Sequence, residues 1–136
     1  MINHQLFLGL GSNLGDRAGN IRKAVLLIQE RVGEVVRQSS LIETEPWGFE
    51  SDHCFLNGVI LCETTLTPRQ VLRATQKIER ELGRKSKTTS SYADRPIDID
   101  ILLYDNLTVN EPDLKIPHPL MHERDFVMIP LNEIRY

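Results

Sequence analysis

The sequence predicts an α+β fold, a mainly antiparallel sheet with helices packed on it, and three observations carry that expectation. Apolar residues recur at helical spacing in two stretches, Ile21, Ala24, Val25, Ile28, Val32 and Val71, Ala74, Thr75, Ile78, Leu82. Runs rich in β-branched residues flank both stretches and end at Gly, Pro, Asn or Asp. Read in order, the elements are strand, helix, strand, strand, helix, strand.

Gln5 to Leu10 forms the first strand, running into Gly9-Leu-Gly-Ser-Asn-Leu-Gly-Asp16. The first helix follows and stops at Gly33. Glu34 to Ile42 is a β-branched second strand, and the polar loop Glu43 to Asp52 leads to a third near Cys54 to Glu63. Thr67 caps the second helix, Pro68 opens it and Gln70 completes a capping box, while Gly83 closes it. Ile97 to Tyr104 alternates as a fourth strand. Asp105-Asn106 turns into a short strand near Thr108 and Val109, giving a small C-terminal hairpin. The stretch Ile116 to Phe126 is irregular with one helical turn, and Phe126 to Ile134 is a last short helix that Pro130 should interrupt. This βαββαβ order is that of a ferredoxin-like sandwich with its two main helices on one face of the sheet.

At 136 residues the chain suits one domain spanning 1–136. Its 40% hydrophobic and 26% charged residues are those of an ordinary globular protein. No apolar run nears the roughly 20 residues of a membrane span, and Met-Ile-Asn-His-Gln lacks the features of a secretory signal, so a cytoplasmic location with no membrane partner is expected. A net charge of -3 argues against general nucleic-acid binding. Locally the balance reverses: Arg84 to Tyr92 holds three cations and no acid, and Arg95 follows. Such a loop suits an arriving polyanion or is simply solvated. Cys54 and Cys62 would lie about 26 Å apart on one strand, beyond disulfide reach, and read as packed thiols.

Asp98 and Asp100 alternate with Ile97, Ile99 and Ile101, so both carboxylates share one strand face. Like charges this close gain nothing by burial, which favours a counter-cation over a merely solvated pair. Mg²⁺ fits best, since two carboxylates suffice when phosphates and water complete its shell. Glycines 9, 11 and 15 depart from G-x-G-x-x-G and no G-K-[ST] follows, so a tight turn made possible by glycine's φ freedom is the preferred reading, with Ser12 and Asn13 offering polar contacts. His118 and His122 have a zinc-like spacing, but Pro119 opposes a regular helix and no cysteine pair lies near. His118 is read as a phosphate donor and His122 as a surface residue. Phe55 and Phe126 are either simple core residues or ring contacts, and Phe55 shares a face with Asn57, an aromatic surface and an amide edge suited to a planar heterocycle. Trp47 is either a hydrophobic plug or part of that pocket.

Taken together, several ordered segments resemble the 6-hydroxymethyl-7,8-dihydropterin pyrophosphokinase family. They are Gly9-Leu-Gly-Ser-Asn-Leu-Gly-Asp-Arg17, Glu43-Thr-Glu-Pro-Trp-Gly48, Phe55-Leu-Asn57, Gln76-Lys-Ile-Glu79, Leu82-Gly-Arg84, Arg95-Pro-Ile-Asp-Ile-Asp-Ile-Leu102, Ile116-Pro-His-Pro119, Arg124-Asp-Phe-Val127 and Pro130-Leu131. The resemblance implies transfer of the β,γ-pyrophosphoryl group of ATP to the pterin hydroxymethyl, leaving AMP, in folate biosynthesis. It implies two Mg²⁺ ions on Asp98 and Asp100, and phosphate contacts from Arg84 and Arg95, whose guanidinium groups stay charged and bind bidentately. Gln76, Glu79, Ile101, His118 and Arg124 would line the ATP side. Phe55 and Phe126 would sandwich the pterin, with Thr44, Pro46, Trp47 and Asn57 completing its pocket.

The chain departs from the family pattern at Asp94-Arg95-Pro96, where Pro-Arg-Thr is common, and Lys85, Lys87 and Tyr92 stand in for other loop residues. Many members continue past the last segment, so the shorter tail is expected to affect stability more than chemistry. A monomer is expected. The competing reading is a non-catalytic ferredoxin-like module that binds nucleotide or metal, which fold alone would permit.

Overall fold

Both stretches of helical periodicity fold as helices, α1 (Arg17–Arg31) and α2 (Pro68–Glu81), in a computed structural model that describes residues 3–45, 54–83 and 95–135. The strands are β1 (His4–Ser12), β2 (Glu34–Gln38), β3 (Ile42–Thr44), β4 (Phe55–Thr64), β5 (Asp98–Tyr104), β6 (Val109–Glu111) and β7 (Leu114–Ile116). A 3₁₀ turn (Met121–Glu123) precedes α3 (Asp125–Ile134). The main sheet runs β2-β4-β1-β5 with β3 also on β4, every pairing antiparallel, and β6-β7 is a separate hairpin. This is the ferredoxin-like order the sequence implies.

Period-two alternation divides the strands between two cores. On one face Leu6, Leu8, Leu10, Ile60, Cys62, Ile99 and Ile101 meet Ile21, Ala24 and Ile28 of α1 and Val71 and Ile78 of α2. On the other, Phe7, Val59, Leu61 and Leu102 meet Met121 and Val127, Leu131 and Ile134 of α3. The second core fills only one end of its face. At the other end, alternation places Phe55, Asn57, Gly9, Gly11, Asp98 and Asp100.

Capping follows the sequence closely at α2. Thr67 Oγ1 accepts the Gln70 N–H at 3.2 Å, and Gln70 Oε1 accepts the Thr67 N–H at 2.9 Å. Asp16 caps α1 through the Gly19 N–H. Two expectations need correction. The single strand Glu34 to Ile42 is two, because Ser39 Oγ replaces a backbone acceptor for Val59 N–H and Ser40 turns to Glu133 of α3. Pro130 does not interrupt α3: it removes one backbone bond, which burial of Val127, Leu131 and Ile134 outweighs. Among the described residues no helix is long and apolar enough to cross a membrane.

Candidate active site

Two cross-strand rows define the free end of the α3 face. Gly11 lies between Asn57 of β4 and Asp98 of β5, and Gly9 lies between Val59 and Asp100. Neighbouring strands are about 4.8 Å apart, so Asn57 and Asp98 backbones stand roughly 10 Å from each other with only bare backbone between. Here the φ-freedom reading of the glycine cluster is corrected. Positive φ occurs at Gly15 (φ 70), whereas Gly9 and Gly11 sit within β1. What Gly11 contributes is absence: a Cβ there would lie 2.7 Å from Asn57 Oδ1 and 3.5 Å from Phe55 Cδ1.

On the β4 side, Phe55 and Asn57 are buried, and the Asn57 amide donates to Thr44 Oγ1 at 2.7 Å across the β3–β4 pair. That bond fixes the amide with its oxygen towards Gly11. The first residue of α1 braces the same corner. Arg17 donates through Nη1 to Cys54 O and through Nη2 to Glu43 Oε2, both at 3.0 Å, gripping the residues just before Phe55 and Thr44. Sequence reading did not single out Arg17. Its only signal is an arginine at the helix start, and its partners lie 37 and 26 residues away.

On the β5 side, the expected alternation holds: Ile97, Ile99 and Ile101 enter the α1–α2 core while Asp98 and Asp100 remain half-buried on the opposite face. The Arg95 guanidinium stands 3.3 Å from Asp98 Oδ1. Among the described residues no third His, Cys, Asp or Glu completes a metal cage. Two carboxylates beside side-chain-free backbone suit a hard cation that takes its remaining oxygens from water and phosphate.

The expected nucleotide side is spread along the outer edge of β5. Glu79 is buried, and its Oε2 accepts the Ile99 N–H at 2.8 Å, so the carboxylate caps that edge. Ile101 commits its side chain to the core, but its backbone, two residues on, faces the same edge as Ile99. Gln76 is half-buried one helical turn before Glu79. His118 donates its N–H to Leu102 O at 3.0 Å and is half-buried, while His122 is exposed. Arg124 is buried with its guanidinium carbon 5.6 Å from the centre of the half-buried Phe126 ring, bringing a proposed nucleotide contact against a proposed pterin contact. Pro46, Trp47 and Arg84, with Lys85, Lys87 and Tyr92, lie outside the described residues.

The family model of 7,8-dihydro-6-hydroxymethylpterin-pyrophosphokinase matches residues 7–136. A 2-amino-4-hydroxy-6-hydroxymethyldihydropteridine pyrophosphokinase of Porphyromonas gingivalis is 50% identical over 131 residues, covering 95% of this chain and 89% of that one. The protein of the same name from Aquifex aeolicus is 43% identical over 129 residues, covering 95% of this chain and 79% of its own length. In fold, the chain is similar to the solved wild-type HPPK-DHPS of Plasmodium falciparum, with a TM-score of 0.76 at 16% identity, over 97% of this chain and 41% of that larger one. The family-model match over residues 7–136, with relatives 50% and 43% identical across 95% of the chain, places this chain in the 7,8-dihydro-6-hydroxymethylpterin-pyrophosphokinase family.

Proposed function

We propose that residues 1–136 act as one pyrophosphokinase domain that transfers the β,γ-pyrophosphoryl group of ATP to the hydroxyl of 6-hydroxymethyl-7,8-dihydropterin. The products are AMP and the pterin diphosphate, a step of folate biosynthesis. One observation carries the reading: two unlike half-sites share a sheet face, separated by the single side-chain-free strand position Gly11. A planar ring held on Phe55, Asn57 and Thr44 would direct its hydroxymethyl across Gly11 towards Asp98.

Phe55 and Phe126 give the ring its stacking surfaces, and Asn57, Thr44, Pro46 and Trp47 read its edge. Gln76, Glu79, Ile101, His118 and Arg124 hold the nucleotide. Arg84 and Arg95 bind phosphate oxygens through paired N–H donors that strengthen as charge shifts to the leaving oxygen. Asp98 and Asp100 would hold Mg²⁺, two ions with ATP, which neutralises triphosphate charge when bound. The hydroxymethyl oxygen gives up its proton to solvent and bonds to the β-phosphorus as that phosphorus parts from the oxygen that leaves with AMP, with no covalent enzyme intermediate. The protein is proposed to work as a cytoplasmic monomer.

The test is product identity. The purified protein with ATP, Mg²⁺ and the reduced pterin alcohol should release AMP in step with pterin diphosphate. Release of ADP, or tight ATP binding without turnover, would sink this reading.

A further inference from the structure

The Gly-Ser-Asn-Leu-Gly turn takes no part in the reaction as assigned above, yet it touches the residue that reaction needs most. Asn13 is 2% exposed, and its Oδ1 accepts the Arg95 N–H at 2.7 Å. In return, the Asn13 N–H donates to Arg95 O at 3.1 Å. This closed pair fixes both backbone polar groups of Arg95. The turn is itself anchored: Asn20 of α1 donates to Leu14 O at 2.9 Å and to Ser12 Oγ at 3.4 Å, Gly15 supplies φ 70, and Asp16 caps α1. An unbroken series of contacts therefore runs from α1 through Asn13 to Arg95, whose guanidinium faces Asp98 at 3.3 Å.

We propose that Asn13 is a positioning residue for pyrophosphoryl transfer, holding the Arg95 backbone so that its guanidinium meets the phosphates over the acidic shelf. The inference rests on the assignment of Arg95 to the phosphates. A long arginine side chain reaches many places from one Cα, so its reach is set by where the backbone is held. The Arg95 N–H is buried and needs a partner whatever the ligand state, and the Asn13 side-chain oxygen is the acceptor it takes. Displacement of a contact group by about 1 Å can lower a rate on the order of a hundredfold.

The experiment compares Asn13→Ala, Asn13→Asp, Arg95→Ala and the Asn13→Ala/Arg95→Ala double variant in single-turnover transfer, with binding of pterin and a nonhydrolysable ATP analogue measured in parallel. Asn13→Ala should lower the transfer rate about 10- to 100-fold while both affinities move less than about threefold. Asn13→Asp, which keeps an acceptor oxygen, should recover most of the rate. The double variant should be no slower than Arg95→Ala alone, since both changes remove one function. If Asn13→Ala fails to fold, Asn13→Gln replaces it and must lose the rate that Asn13→Asp keeps. A wild-type rate in the Ala or Gln variant, or losses that multiply in the double variant, overturns the role of Asn13. A wild-type rate in Arg95→Ala overturns the phosphate assignment instead.

Discussion

Gly11→Ala gives the sharpest test of the proposed pterin wall. The added Cβ would lie 2.7 Å from Asn57 Oδ1, so the amide must retreat by more than half an ångström to reach ordinary contact. Retreat is resisted, because the same amide is tied to Thr44 Oγ1 at 2.7 Å and Phe55 Cδ1 stands 3.5 Å from the new atom. Losing that hydrogen bond costs about 0.5–1.5 kcal/mol, and pushing Asn57 off its rotamer costs a similar amount. If the amide reads the pterin edge, the sum of about 1–3 kcal/mol appears as a 5- to 150-fold loss of pterin affinity. Titration calorimetry with the pterin should show it, while affinity for a nonhydrolysable ATP analogue stays within about twofold. Gly9→Ala is the internal control for pterin affinity, since the nearest atoms to its Cβ are Leu102 side-chain carbons at 3.5 Å or more, ordinary contact. Pterin binding by Gly11→Ala equal to that of wild type would refute the placement of the ring on Asn57, and an equal loss in Gly9→Ala would show the effect to be general strain.

Asp100→Asn should abolish AMP formation yet leave the fold as stable or raise its stability by about 0.2–1 kcal/mol, because it relieves a like-charge pair; paired activity and thermal melts check the opposite signs. Arg17→Met should raise the KM for pterin several-fold with the KM for ATP unchanged, since Arg17 braces Glu43 and Cys54 beside Thr44 and Phe55; a matching rise for ATP would reduce Arg17 to a stability role. Burial pushes the Cys62 thiol up to about 12, so in a Cys54→Ser background maleimide labelling at pH 8 should proceed only as fast as the chain unfolds. Hydrogen bonds from Arg69, Arg31 and Ser40 hold the carboxyls of Asp113, Glu81 and Glu133 below the ordinary range. Their stabilisation is therefore full above roughly pH 5 and lost as pH falls through the lowered values. Urea midpoints should drop on acidification, less steeply in Arg69→Met.

What the sequence made legible depended on how far its signals reach along the chain. The α2 capping box is a three-residue pattern and is found where Thr67 and Gln70 place it. The Asp98–Asp100 alternation likewise needs only local pleat parity, and so does the shared face of Phe55 and Asn57. The break between β2 and β3 was hidden because it depends on Ser39 bonding to Val59 and on Ser40 meeting Glu133, 93 residues on. Asn13 looked like turn material because its partner, Arg95, is 82 residues away. The glycines misled in a different way. One of the three needs a left-handed φ, whereas the value of the other two lies in having no side chain, which residue type alone does not distinguish.

β1 shows why those two glycines belong where they are. Its even positions Leu6, Leu8 and Leu10 enter the α1–α2 core, while odd positions 7, 9 and 11 lie on the opposite sheet face as Phe, Gly and Gly, with only Phe7 in the α3 core. Two glycines inside a strand weaken it by about 0.5–1 kcal/mol each, and the buried leucines on its reverse face offset that loss within the same strand. The central strand thus keeps its place between β4 and β5 while presenting bare backbone one strand wide between the amide wall and the acidic pair. A one-residue slip in register would send the three leucines onto the site face and the glycines into the α1–α2 core, losing fold and site together. Pairing on both flanks holds the register, so a site with little side-chain volume at its centre rests on a well-specified part of the sheet.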